Sequence, residues 1–312
     1  MTPVTHSHDD EHAPDPVLNE VSAGVFAYVQ LDGSWGLNNS GFFVGSDGVV
    51  VIDTCFTERR SRAFLAAVRG VTDRPLRTLV NTHHHGDHTH GNWLLPEATI
   101  IGHSLCRDAV MQSGHAAKGL FPNVDWGEIP ITPPFVTFDD TLHVHVDDLA
   151  VELQFMGPAH TTNDIAAWVP ERKLLFSGDL VFNGGTPFVM MGSVAGSIAA
   201  VERLKTLGAE TIVPGNGEVC GPEVLDDQLD YLRFVQSLAR DAVASGTSAL
   251  DAGRAADLGR FAEWHDTERI VGNLHRAMAE ENGLAPGADL DIFAAIGDMI
   301  TLNGGRPLRC LA

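Results

Sequence analysis

The chain has 312 residues, 44% of them hydrophobic, enough to bury a sizeable core in one large α/β domain or two smaller ones. Its formal net charge of −21 argues against a nucleic-acid partner, whose affinity rests largely on Lys and Arg meeting phosphates, and no apolar run approaches the ~20 residues of a membrane-spanning helix. Four cysteines (Cys55, Cys106, Cys220, Cys310) form no Cys-x-x-Cys pair, which argues against a disulfide scaffold or cysteine zinc site and fits a reducing cytoplasm.

Met1 to Pro16 is polar and rich in His, Asp and Pro, without an apolar signal-peptide core, and reads as a disordered tail in which His6, His8 and His12 offer at most weak metal binding. Val25 to Gln30, Gly41 to Val44 and Gly48 to Asp53 are apolar or alternating runs separated by Gly-containing turns, the pattern of a β-meander. Glu58 to Arg69 reads as an amphipathic helix with Phe64, Leu65 and Val68 on one side. Leu76 to Val80 is a short apolar strand, and Ala98 to Ile101 another, before a helix near Ser104 to Met111. A second strand series covers Val136 to Phe138, Thr141 to Val146, Val151 to Phe155, Ile165 to Val169 and Lys173 to Phe176. A helix over Ser197 to Leu207 and a strand over Thr211 to Val213 follow, then helices near Pro222 to Ala244, Thr267 to Glu281 and Ala288 to Thr301. No Ser/Gly linker divides the halves, so residues 17–312 are expected to form one domain with the terminal helices packed against it. Gln112 to Pro134 and Asn183 to Gly196 are long Gly- and Pro-containing loops, of the kind that are usually functional or disordered.

The sharpest chemical signal is Thr82-His83-His84-His85-Gly86-Asp87-His88, running out of an apolar strand. Five of these residues can ligate a metal, and imidazole with carboxylate suits zinc, with iron or manganese as alternatives. His83 and His85 project to the same side of an extended loop, whereas Asp87 and His88 follow a Gly and can reach a second position. A solvated polar loop would explain one such histidine but not this density. His160 follows a strand through a Gly-Pro turn, and Asp179 follows another in Phe176-Ser177-Gly178-Asp179, both placed where a dinuclear site needs them.

This set of residues resembles the metallo-β-lactamase superfamily. The resemblance implies an α/β fold, a four-layer αβ/βα sandwich with extra C-terminal helices, holding one or two metals at the strand ends. It implies His83, His85 and His160 on one metal, Asp87 and His88 on the other, and Asp179 bridging the two. The family's last second-site ligand is a histidine in a Gly-His-Gly turn. Here the turn reads Pro214-Gly215-Asn216-Gly217, so Asn216 is expected in the ligand position, with the second zinc held loosely or replaced by another divalent metal.

A narrower resemblance, over roughly Val17 to the C-terminus, is to the cyclase/thioesterases of bacterial aromatic (type II) polyketide pathways, second-ring cyclases among them. It rests on Val124-Asp125-Trp126-Gly127-Glu128-Ile129, Gly192-Ser193-Val194-Ala195-Gly196, Asn273-Leu274-His275-Arg276-Ala277 and Asn303-Gly304-Gly305. It implies thioester hydrolysis or aldol-type ring closure on a carrier-bound intermediate, with Asp87 and Asp179 as the catalytic carboxylates. Phe121, Trp126, Phe135, Phe188, Met190 and Met191 are expected to line an apolar substrate groove. Arg59, Arg60, Arg62, Arg69, Arg74 and Arg77 form a candidate docking patch for an acidic acyl carrier protein, although a solvated helix face explains them as well. A generic metallo-hydrolase of thioesters or lactones shares every ligand, and a non-catalytic binding protein with a degenerate second site is the reading from another class. A homo-oligomer is compatible with the sequence.

Overall fold

Two sheets lie face to face because the strands are apolar on one side at every second residue and find each other there. The computed structural model describes residues 13–312; the expectations for His6, His8, His12 and residues 1–12 of the tail lie outside the described residues. The first sheet takes its strands in chain order: β1 (Val17–Ser22), β2 (Val25–Val29), β3 (Ser40–Val44), β4 (Val49–Ile52), β5 (Leu76–Val80), β6 (Thr99–His103) and β7 (Val136–Phe138). Pairing is antiparallel from β1 to β4 and parallel from β4 to β7. The three parallel steps need crossovers, supplied by helix α1 (Glu58–Val71), by the segment carrying the short helix α2 (Gly86–Thr89) and by the segment with helices α3 (Ser104–Ser113) and α4 (Ala116–Leu120).

The second sheet has the order β12-β11-β10-β9-β8, built from β8 (Thr141–Val146), β9 (Leu149–Gly157), β10 (Asp164–Val169), β11 (Leu174–Phe182) and β12 (Thr211–Asn216). Only the β11–β12 pair is parallel, and helix α5 (Val194–Leu207) makes that crossover. Between the sheets Val50, Ile52, Val80 and Phe43 meet Val151, Leu153, Ile165 and Phe176. Val49 and Val51 point the other way, onto Phe64 and Val68 of α1. Buried on both faces, β4 has no polar residue at all. Outside the second sheet lie α5 and the C-terminal helices α6 (Glu223–Ser245), α7 (Ala249–Ala255), α8 (Arg269–Glu281) and α9 (Ile292–Leu302). The αβ/βα sandwich with added terminal helices is therefore the observed fold. Among the described residues no helix is long and apolar enough to cross a membrane, and the four cysteines are unpaired.

Three differences from the sequence reading have physical causes. Strand β1 was not expected, because its half-buried edge alternates only weakly. The loop over 112–134 is not structureless: helices α3 (Ser104–Ser113) and α4 (Ala116–Leu120) occupy its first part. Strand β11 does not stop at Phe176 but runs on through Ser177, Gly178 and Asp179. Gly178 adopts φ 52° at a register shift, so a glycine that reads as a turn is a bulge inside the strand.

Candidate metal centre

The site forms where the ends of both sheets converge. The histidine loop leaves β5 and is pinned by Asp53, at the end of β4, whose carboxylate accepts the Thr82 backbone N–H at 2.8 Å and the Thr82 hydroxyl at 2.7 Å. Asp53 holds φ 57°, a conformation that Asp tolerates better than most residues. From the second sheet, the β9–β10 turn brings His160, β11 brings Asp179 and the last residue of β12 is Asn216. Close approach fixes two glycines here. A Cβ at Gly215 would lie 2.0 Å from Asp179 Oδ1, and one at Gly178 would lie 2.6 Å from Thr82 Oγ1.

Six sequence-predicted residues come together. One donor atom each from His83, His85, His160 and Asp179 lies within 4.8 Å of the others, and the same holds for Asp87, His88 and Asp179. Asp179 belongs to both sets: Oδ1 is 3.1 Å from His88 Nε2 and Oδ2 is 3.4 Å from His160 Nε2. His85 Nδ1 faces His160 Nε2 at 2.8 Å. The far ring nitrogens fix which lone pairs point inward. His88 Nδ1 bonds Asp53 Oδ2 at 2.8 Å, and His160 Nδ1 bonds the Phe188 carbonyl, so the Nε2 atoms face the centre. His83 Nε2 and His88 Nε2 are buried without an aligned hydrogen-bond partner, an expensive arrangement in a protein interior unless another group accepts those lone pairs. A cation answers that need, and the donor chemistry fits one.

Burial, reinforced by the neighbouring imidazoles, pushes His83 and His85 well below the ordinary histidine range, leaving them neutral, the form able to ligate a cation. At His88 burial opposes the cation, but Asp179, Asp53 and Asp87 outweigh it and hold this imidazole well above that range. Burial pushes Asp87 up, and Asp179 adds to the effect against the pull of His88. Asp179 goes the other way, since His88 and His160 together overcome its burial.

Asn216 was expected to present an oxygen to the metal. Its Nδ2 instead donates to Asp179 Oδ1 at 3.0 Å, so in this arrangement it orients the carboxylate. The centre opens into a cavity of about 390 Å³. Phe121, Phe188 and Met191 line it as expected, and Trp126, Phe135 and Met190 do not. Trp126 packs edge-on against Phe56 with ring centroids 4.7 Å apart, one layer behind the wall. Phe135 is 82% exposed at the start of β7, and Met190 is buried against Gly272 of α8. Of the arginine patch only Arg60 leaves the surface, and Arg59, Arg62, Arg69, Arg74 and Arg77 stay exposed. Arg60 is buried, bonding Gln30 Oε1 at 2.9 Å and the Leu311 carbonyl at 2.6 Å, while Arg69, Arg74 and Arg77 bond carbonyls of Arg74, Ser46 and Asp47.

Several lining residues escaped the sequence reading: Trp35, Phe56, Arg269 and, on α9, Ile292, Phe293 and Ile296. Arg269 is buried, stacks 4.0 Å from the Trp35 ring and pairs with Asp266 at 2.7 Å, while Trp35 N–H bonds the same Asp266 at 3.1 Å. This network ties the β2–β3 loop to α8. Only the long separation of its members in sequence hid it, because no local pattern joins them.

A sequence profile described as "Metallo-beta-lactamase superfamily" matches residues 33–216, more than half of the chain. The chain is 26% identical over 221 residues to the 2,4-dinitroanisole O-demethylase subunit alpha of a Nocardioides species, covering 70% of this chain and 63% of that protein. It is 29% identical over 181 residues to a hydroxyacylglutathione hydrolase of Rhodospirillum rubrum, covering 57% and 60% respectively. The chain thus matches less than two thirds of the length of either relative. Among solved structures, a metallo-beta-lactamase from Pontibacter korlensis superposes with a TM-score of 0.59 at 19% identity, over 70% of this chain and 99% of that one.

Proposed function

The chain belongs to the metallo-beta-lactamase superfamily, and on that premise we propose that it is a zinc-dependent hydrolase whose substrate is a bulky aromatic acyl thioester, released from its carrier by hydrolysis, ring closure or both. The observation that carries this reading is the pairing of a His/Asp donor cluster with a cavity of about 390 Å³ walled by Trp35, Phe56, Phe121, Phe182 and Phe188. That volume suits a drug-sized ligand, and aromatic walls favour a flat apolar one. The name of the Nocardioides relative likewise carries an aromatic substrate.

When bound, a divalent cation supplies Lewis acidity and a hydroxide nucleophile near neutral pH. His83, His85 and His160 would hold one ion, and Asp87, His88 and Asp179 a second. The remaining work belongs to the chain. Asp53 and the Phe188 carbonyl keep His88 and His160 turned with Nε2 inward. Asn216 steadies Asp179 between the two donor sets. In this reading Asp87 and Asp179 serve as the carboxylates that take a proton, from the nucleophile in hydrolysis or from the acidic α-carbon of a β-ketone in ring closure. Trp35, Phe188 and Phe121 hold the acyl group and exclude water, which biases a reactive enolate towards cyclisation.

The test compares kcat/KM for an aromatic β-ketoacyl thioester, a short aliphatic thioester and a lactone. The reading predicts that the aromatic substrate is preferred by at least about tenfold and that chelation abolishes turnover. Equal turnover of the short thioester would favour a general thioesterase, the kind of reaction named for the Rhodospirillum relative.

A further inference from the structure

Two imidazoles line the cavity without belonging to either donor set: His84 and His90, on either side of the Gly86-Asp87-His88 stretch. Their hydrogen bonds fix opposite tautomers. The His84 backbone N–H, which can only donate, meets Asn163 Oδ1 at 3.0 Å, and this sets the orientation of that amide. Asn163 Nδ2 then lies 3.0 Å from His84 Nδ1, closer than the 3.4 Å from that nitrogen to Oδ1, and 3.1 Å from Thr162 Oγ1, donating to both. A ring nitrogen that accepts carries no proton, so the proton of His84 sits on Nε2. At His90 the situation is reversed. Nδ1 lies 3.0 Å from the Phe56 carbonyl, which can only accept, so Nδ1 carries the proton and Nε2 keeps its lone pair.

The packing holds both rings in place. The His90 ring stacks on Phe56 with centroids 5.6 Å apart and planes 5° from parallel. It also sits where a side chain on Gly86 would be, since a Cβ there would lie 2.3 Å from His90 Cε1. Among the described residues no protein group bonds either Nε2 atom.

We infer that His84 and His90 form a substrate-reading pair in the cavity wall, His84 giving a hydrogen bond to a carbonyl oxygen and His90 accepting one from a hydroxyl. The ligand class is a flat aromatic that bears a ketone at one end and a phenolic or enolic hydroxyl at the other. The inference rests on the proposed aromatic substrate and narrows it, setting two polar ends in a largely apolar wall where each unpaired end would discriminate strongly.

The test is calorimetric binding to the full-length protein as purified, without turnover. The probes are an acetylnaphthol with ketone and hydroxyl on opposite rings, its methyl ether, and naphthol. The wild type is expected to bind the acetylnaphthol about three- to tenfold tighter than the ether, the scale of one neutral hydrogen bond. In His90→Phe that ratio falls to about one. His84→Phe removes the Nε2 donor and keeps a flat ring in its place. Ketone probes should then lose about three- to tenfold while naphthol is unchanged, an effect that a general loosening of the pocket would not produce. The wild-type comparison needs no variant, so a folding failure cannot shelter the inference. Equal binding of phenol and ether by the wild type, or unchanged ketone affinity in a folded His84→Phe, overturns it. Discrimination among the probes without turnover of aromatic thioesters would leave the pair standing and sink the proposed activity; turnover without discrimination does the reverse.

Discussion

Replacing Asp53 by Asn removes one negative charge and almost nothing else, because Asn tolerates the φ of 57° found there. The amide oxygen can still accept the Thr82 backbone N–H, so the histidine loop keeps its main anchor. The amide nitrogen then faces Thr82 Oγ1 and His88 Nδ1, which now bond Asp53 Oδ2 at 2.7 and 2.8 Å. Facing a donor, His88 Nδ1 must become an acceptor, and its proton moves to Nε2, the atom turned towards Asp179. A protonated nitrogen cannot ligate, so affinity at the Asp87/His88/Asp179 set should drop by about ten- to a hundredfold, or about 1.4–2.7 kcal/mol. Competition against a chromophoric chelator at fixed pH measures it, with circular dichroism confirming the fold. A folded Asp53→Asn protein that binds its metals within about twofold of wild type would refute the argument.

Three further outcomes are expected. Gly215→Ala should abolish metal binding by displacing Asp179, while Gly70→Ala in α1, where a Cβ meets nothing within 4 Å, should be neutral or stabilise by up to about 1 kcal/mol; metal analysis and thermal unfolding of both report this. Arg269→Met should destabilise the fold by about 1–3 kcal/mol in denaturant titrations, because burial already pushes Asp266 up to about 7 and, without its guanidinium partner, that group is left as a neutral buried acid. The metal-free protein should lose stability on acidification. His84 and His90 are held down to about 4 by burial, whereas unfolded imidazoles take up protons near pH ~6.5. The unfolded state therefore binds more protons between these values, and each group costs about 1.4 kcal/mol per pH unit as pH falls through that window. His88 works oppositely: held up by its carboxylates, it contributes stability that is lost only as pH rises through its raised folded value. A melting temperature that rises between pH ~6.5 and ~4 would contradict the dominance of the depressed pair.

The strands and ligands were legible in the sequence because their causes are local. Apolar or alternating runs mark β2 to β6 and β8 to β10, and a loop as dense in donors as His83 to His88 has no packing explanation. Asp179 was found although its strand was cut short, because a bulge at Gly178 looks like a turn until the register with β12 is known. The cavity wall was only half legible. Phe188 and Met191 sit on a loop next to the site, but Trp126 turns away to pack on Phe56, and nothing local distinguishes these cases. Arg60 reads as a surface cation within an arginine-rich stretch, yet Gln30 and the Leu311 carbonyl from distant segments draw it inside. Asn216 was placed correctly beside the centre, but which end of its amide faces Asp179 depends on three-dimensional neighbours.

The central claim is that a divalent cation belongs among the side chains brought together from β5, the β9–β10 turn and β11. An anomalous difference map from a crystal of the zinc-reconstituted protein, recorded on both sides of the zinc edge, addresses it without any assumption about substrate. The account predicts a peak in contact with His83, His85, His160 and Asp179, the set whose donors lie within 4.8 Å of one another. Zinc found only elsewhere on the chain, with those four side chains free of it, would contradict the account.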